Sequence, residues 1–349
     1  MAARLAWLVL ALVLCAPALD AGARLAATSL FLVEFLSEGR WRPLSAITGD
    51  PSVGPIPALA RNRPVPVDLY APRAFRRPSG LVLAHGLAPL GKDDPRVRDA
   101  ARLLARAGWA VAVPTVDGLT RLRLRPEDAG AVAAAVGALR EARYEPVSLL
   151  GVSLGGGPAL LAATDAGLAR GLSAVLVLGG YASTRELLRY TLTGAYAFGS
   201  VRGRRAPDEE AIALFARANA ELVDEAGRRL VENRNPQAVD ALVAALPAQT
   251  RRLLDDLSPE ERIARLRAPL FLIHGRDDPA VPFSESLRLL EAARAAGRPA
   301  RAAIVGAVGH VEPDRRATLG EILRLWATVY AFAVYSEWGE VSAAPRGSE

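Results

Sequence analysis

The sequence predicts an α/β protein: a mostly parallel sheet with helices on both faces. Short apolar runs such as Leu81–Ala84, Ala110–Val113 and Val147–Leu150, in which Ser148 is the one polar residue, have the composition of strands buried on both sides. Each is followed by a stretch of helical length, and strand–helix alternation with right-handed crossovers builds a parallel sheet covered on two faces. The 349 residues are 51% hydrophobic and 23% charged, which excludes disorder or a coiled coil as a description of the whole chain.

The elements follow in order. Val65–Tyr70 alternates apolar and polar residues as an edge or antiparallel strand does, with Pro66 tolerable only near an edge. After strand Leu81–Ala84, Asp94-Pro95 offers an N-cap and a proline at the first helical position, and the amphipathic helix Val97–Ala107 stops at Gly108. Strand Ala110–Val113, helix Asp128–Arg143, strand Val147–Leu150, helix Gly156–Thr164 and strand Ala174–Leu178 continue the pattern. It resumes with strand Leu270–Ile273, helix Ser284–Ala296, strand Arg301–Val305 and helix Arg316–Tyr335. Upstream, Arg42–Arg63 is punctuated by Pro43, Pro51, Pro55 and Pro57 without sustained periodicity and reads as a connection.

The first forty residues carry an address. Arg4 precedes an apolar run, Leu5–Leu19, ended by Asp20, with small-x-small cleavage candidates at Ala16-Pro17-Ala18 and Ala21-Gly22-Ala23. That is the layout of a secretory signal. The run falls short of the roughly 20 residues of a comfortable span, although about 17 suffice, so residues 1–24 are a signal peptide or a membrane anchor. Cys15 follows Leu14 where a lipid-attachment signal wants a small residue, and reads as an ordinary apolar position. Leu25–Leu36 contains Glu34 and is too short to span; it fits an amphipathic helix lying on the domain or on a bilayer. The expectation is an extracytoplasmic protein, periplasmic or secreted, or one held at the membrane by this segment.

Composition narrows the chemistry. One cysteine excludes a disulfide framework, and three histidines, His85, His274 and His310, leave little room for a metal site. The net charge of +6 is spread along the chain, with Lys92 the only lysine among 43 basic residues, so a nucleic-acid-binding stripe is not expected.

Ligands of open α/β sheets bind beyond the carboxyl ends of the strands. Three such ends carry chemistry here. Gly151-Val152-Ser153-Leu154-Gly155 is a G-x-S-x-G sequence between a strand and a helix, the context of a nucleophile elbow. Gly151 and Gly155 let strand and helix approach closely, and the Leu154 backbone N–H points toward a developing oxyanion. His85-Gly86-Leu87 leaves another strand, where the N–H of Leu87, or alternatively Ala88, supplies the second oxyanion donor while His85 organises the loop. Leu270–Ile273 exits into His274-Gly275-Arg276-Asp277-Asp278-Pro279, where a carboxylate can orient an imidazole; spacing favours Asp278 over Asp277. His310, in Gly306-Ala307-Val308-Gly309-His310, arrives where a general base is needed, and His274 reads as a structural loop residue.

In the order Ser153, Asp278, His310, and in these motifs, the sequence resembles the α/β-hydrolase superfamily over roughly residues 63–181 and 266–338. His85-Gly86 with Gly91-Lys92-Asp93-Asp94, and Arg106-Ala107-Gly108-Trp109, look like the dienelactone-hydrolase and esterase-like branches. Dienelactone hydrolases proper use a cysteine nucleophile; Ser153 stands there instead. The resemblance implies an eight-stranded sheet, a cofactor-free and metal-free Ser-His-Asp site and hydrolysis of a small-molecule ester-like substrate. An acyltransferase or perhydrolase on the same fold, and a catalytically silent binding protein, are the alternatives. Residues 182–265 carry helical patterns, Arg185–Tyr196, Asp208–Glu232 and Pro236–Leu246, and read as an all-helical cap. Residues 25–62 form the amphipathic segment and connection, and 339–349 a flexible tail.

Overall fold

The computed structural model describes residues 22–73, 78–306, 308–310 and 318–338. The apolar run Leu5–Leu19, Cys15, the Ala16-Pro17-Ala18 candidate and the 339–349 tail lie outside the described residues, and Ala21-Gly22-Ala23 lies partly outside them. Among the described residues no helix is long and apolar enough to cross a membrane.

Eight strands form one sheet: β1 Ser52–Pro55, β2 Val67–Ala71, β3 Gly80–Ala84, β4 Ala110–Pro114, β5 Val147–Val152, β6 Leu172–Leu178, β7 Leu270–Gly275 and β8 Ala300–Val305. Their spatial order is β1-β2-β4-β3-β5-β6-β7-β8. Only the β1/β2 and β2/β4 pairings are antiparallel; the rest are parallel. The sheet therefore begins at Ser52, inside the segment that the sequence marks as a connection. Four residues with Gly54 and Pro55 among them are too short and too irregular to show a period, and pairing with β2 is what makes them a strand.

Each face of the sheet buries an apolar set against helices. Val82, Leu149, Val175 and Leu272 face α3 (Asp128–Glu141), α4 (Gly156–Ala163) and α5 (Ser284–Ala295). The alternate residues Leu83, Leu150, Leu176 and Ile273 face α2 (Pro95–Arg106) and α6 (Leu319–Trp338). This is the period-2 partition of strands buried on both sides. Asp94 caps α2 by accepting the Arg96 N–H at 2.9 Å, with Pro95 at the first position. A helix over residues 22–36, α1, docks on the α2/α6 side: Leu32 is buried there, and Ser29 Oγ accepts the Trp326 indole N–H at 3.1 Å. Glu34 accepts hydrogen bonds from the Ser45 N–H and hydroxyl.

The insertion between β6 and β7 is mainly helical but contains a hairpin, Ala195–Phe198 paired with Val201–Arg204. The helix expected to run to Tyr196 ends at Thr193 because Gly194 turns left-handed, at φ 70°. A Cβ on Gly194 would lie 1.8 Å from the Arg205 carbonyl oxygen. Phe198-Gly199-Ser200-Val201 is a two-residue hairpin signal flanked by strand formers. The long pattern Asp208–Glu232 divides into Glu209–Ala218 and Glu225–Glu232, and Asp224 caps the second by accepting from Gly227 N–H. Pro236–Leu246 becomes a short 3-10 turn, Pro236–Ala238, followed by Val239–Ala244, and a further helix spans Ala248–Asp256. Leu192, Ile212, Leu230, Val239, Val243 and Leu246 give the insertion its own core.

A buried carboxylate fastens the insertion to the sheet domain. Glu285 Oε2, near the start of α5, accepts the backbone N–H groups of Ala182 and Ser183, each at 2.9 Å. Glu285→Ala leaves both donors without that acceptor and should cost about 2–4 kcal/mol. Glu285→Gln keeps an acceptor oxygen and should cost less than half as much. Urea denaturation of the two variants checks this; equal losses would show that the pair of bonds does not anchor the insertion.

Candidate active site

Four loops at the carboxyl ends of β3, β5, β7 and β8 converge. β5 ends at Val152, and the chain turns through Ser153–Gly155 into α4. Ser153 has φ 53°, a left-handed conformation that costs a residue with a side chain on the order of 1–3 kcal/mol. The turn is tight because its neighbours lack side chains. A Cβ on Gly155 would fall 2.2 Å from the His85 carbonyl oxygen, and one on Gly151 would fall 2.6 Å from Gly156 Cα. The β3 exit presses on the same point, since a Cβ on Gly86 would sit 2.9 Å from Ser153 Cβ.

His310 bridges the elbow and the β7 loop. Its Nε2 is 2.6 Å from Ser153 Oγ, and its Nδ1 is 2.7 Å from Asp278 Oδ2. Since an ionised carboxylate only accepts, Nδ1 carries the proton and Nε2 accepts from the serine hydroxyl. Asp278 Oδ1 accepts from the N–H groups of Ala280 and Val281, at 2.8 and 2.9 Å. Burial acts to raise the Asp278 carboxyl, but hydrogen bonds from His274 and His310 outweigh it and hold the group at about 2. The acid is thus a carboxylate at any physiological pH.

The structure brings Ser153, Asp278 and His310 into one hydrogen-bonded line. Asp277 instead points outward, half exposed, 3.8 Å from Arg205. His85 is buried: its Nδ1 donates to the Gly86 carbonyl at 2.7 Å, and its Nε2 accepts the Val116 N–H at 3.0 Å. Burial lowers the His85 pKa from 6.5, which favours the neutral ring that this bonding needs. Leu87 and Leu154 pack together with Val116, Tyr181 and Val281 beside the elbow.

The roles of His274, Tyr190 and Gly179 at the site do not follow from the sequence reading. His274, expected in a loop, instead lies within β7, which extends to Gly275; it directs Nε2–H to the Val281 carbonyl at 2.9 Å with Asp278 Oδ2 at 3.3 Å, while its Nδ1 accepts from Ser286 at 2.7 Å. Tyr190, on the insertion, donates to the Pro279 carbonyl at 2.9 Å and ties the cap to the acid loop. Gly179, at φ 63°, lies where a Cβ would be 2.9 Å from the His310 carbonyl oxygen. The Gly179-Gly180 pair after an apolar strand was the one signal that could have pointed to it. Among the described residues no group of three His, Cys, Asp or Glu side chains is placed to hold a metal.

The sheet order, the elbow after β5 and the acid and histidine after β7 and β8 define the α/β-hydrolase fold. Residues 241–335, which contain Asp278 and His310, match the model of the prolyl oligopeptidase family. The fold is similar to a puromycin-hydrolyzing peptidase of Mycobacterium tuberculosis (21% identity, TM-score 0.55), covering 86% of this chain and 40% of that one. It is also similar to the acylaminoacyl peptidase of Pyrococcus horikoshii (18% identity, TM-score 0.53, 83% of this chain and 41% of that one). Dipeptidyl peptidase 4 of Porphyromonas gingivalis is a third such structure (13%, TM-score 0.50, 82% and 36%). The chain thus spans less than half the length of these peptidases. No curated protein sequence matches it.

The geometry separates the two adjacent acids. Asp278→Asn, which upsets the His310 tautomer, should lower kcat by about 10⁴-fold, whereas Asp277→Asn should leave kcat close to that of the unaltered protein. Ester turnover by the two purified variants decides the matter, and a larger loss at Asp277 would overturn the assignment.

Proposed function

We propose that the chain is a serine hydrolase that cleaves an ester-like bond through an acyl-enzyme intermediate. The observation that carries this is the continuous line from Ser153 Oγ through His310 to Asp278, with bonds of 2.6 and 2.7 Å. Ser153 Oγ attacks the carbonyl carbon as its proton passes to His310 Nε2. The bond to the leaving group breaks, and His310 returns the proton to the departing oxygen. Water, deprotonated by the same ring, then attacks the acyl carbon and releases the acid and Ser153. The negative charge on the carbonyl oxygen is held by the backbone N–H groups of Leu87 and Leu154, on the loop and turn that meet at Ser153. The buried carboxylate of Asp278 orients the ring and stabilises its protonated form.

The match to the prolyl oligopeptidase family favours a second reading, in which the bond broken is a peptide amide. The same groups serve, with the proton going to a nitrogen. A fluorophosphonate probe should label the protein at Ser153 and not the Ser153→Ala variant, whose turnover should fall by about 10⁴–10⁶-fold. Matched acyl esters and aminoacyl amides then separate the readings: faster amide cleavage would favour the peptidase. Labelling at any residue other than Ser153 would remove the nucleophile assignment.

The run Leu5–Leu19 after Arg4 supports placing this activity outside the cytoplasm. A reporter fused after Ser37 should be active on the far side of the membrane. Activity confined to the cytoplasm would contradict that placement.

A further inference from the structure

The sheet is sealed on one face and hollow beneath the other. Toward α3, α4 and α5, Val82, Leu149, Val177 and Leu272 are 0% exposed. On the α2/α6 side of the same inner strands, Leu150 and Leu176 each keep 7% exposure and Ile273 keeps 4%. The helix residues facing them do likewise, with Leu104 at 6% and Val329 at 7%. Central strands under two helices have no route to solvent in a close-packed interior, so this residual surface marks a void.

That void belongs to a cavity of about 1090 Å³ that includes Ser153 and His310 in its wall. One arm rises into the insertion between Leu187, Phe215 and Leu254. The other runs from Val152 and Val308 beneath the sheet, between α2 and α6, to Phe31 and Phe35 on α1. Its walls under the sheet are the side chains of Leu83, Leu150, Leu176, Ile273, Leu104 and Val329. The stretch beneath the central strands is apolar, of a kind that holds water poorly and takes apolar ligands, while Glu34, Arg96, Arg102 and Arg106 line its far end near α1. The side chains of that stretch offer no partner to a peptide backbone, whose unpaired amide groups would each cost several kilocalories per mole to bury there.

We propose that the arm beneath the sheet is a channel for a long apolar acyl chain, so that the substrate is an acyl ester of lipid type. The inference rests on the reading that Ser153 forms an acyl-enzyme. In that scheme the acyl half stays attached to Ser153 while the leaving group must depart before water enters. The half that remains takes the arm enclosed under the sheet, and the departing half takes the arm under the insertion. The channel ends at α1, directly after the segment that bears the apolar run Leu5–Leu19.

The test is kcat/KM of the full chain for p-nitrophenyl esters from acetate to palmitate, paired with calorimetric binding of dodecanoic acid to Ser153→Ala. The expected result is a rise of about fourfold per methylene until the arm is filled, the increment for burying one methylene, and saturable binding of the acid. Leu150→Phe and Leu176→Phe, which fill the arm, should move the preferred ester to a shorter chain and weaken acid binding at least tenfold. The two variants are checked for native folding by circular dichroism, and either one folded suffices. A flat dependence on acyl length together with no acid binding overturns the channel, even if fluorophosphonate labels Ser153. Acid binding that the Phe variants weaken, without labelling at Ser153, overturns the hydrolase reading and keeps the channel as an apolar-chain site.

Discussion

The candidate site depends on one close approach: the β3 exit, the Ser153 turn and the start of α4 occupy a volume in which side chains do not fit. Gly86, Gly151 and Gly155 each stand where a Cβ would come within 3 Å of another group. Their absence of side chains lets Ser153 hold φ 53° at the tip of β5. The strain of that conformation is carried by a sheet that is parallel and buried on both sides of the turn. With the hydroxyl at that tip, the β7 and β8 loops need only deliver a carboxylate and an imidazole to its side.

The acid end is built with equal economy of motion. Asp278 receives two backbone N–H groups on one oxygen and faces two imidazoles with the other. His274 directs its Nε2–H to the Val281 carbonyl and lies 3.3 Å from Asp278 Oδ2, the same oxygen that faces His310. With two backbone N–H groups on one oxygen and two imidazoles beside the other, the carboxylate is fixed in place, and His310 shares that order through a single 2.7 Å bond. The insertion is attached to the same frame, through Tyr190 on the Pro279 carbonyl and Glu285 on the chain at Ala182 and Ser183. Access to Ser153 and placement of the acid are therefore mechanically connected.

Most of the frame was legible in the sequence because its signals are local. Apolar runs, Asp94-Pro95 before a helix and the Gly-x-Ser-x-Gly turn each follow from a few adjacent residues. The hairpin at Ala195–Arg204 was also local, in Gly199-Ser200, but was masked by a helical pattern that runs into it from Arg185. Strand Ser52–Pro55 was not legible at all, since four irregular residues acquire extended structure only from their partner β2.

What the sequence determined by itself was the strand–helix order and the identity of the Ser, Asp and His candidates, along with the preference for Asp278 over Asp277. These rest on periodicity, turn chemistry and spacing, all properties of neighbouring residues. Only the tertiary structure decided that Ser153 and His310, 157 positions apart, meet at 2.6 Å. It alone placed His274 against the acid, and it alone opened the space under Leu150 and Leu176. Contacts between distant segments and the voids they leave depend on how whole helices seat on the sheet, and no short stretch of sequence encodes that.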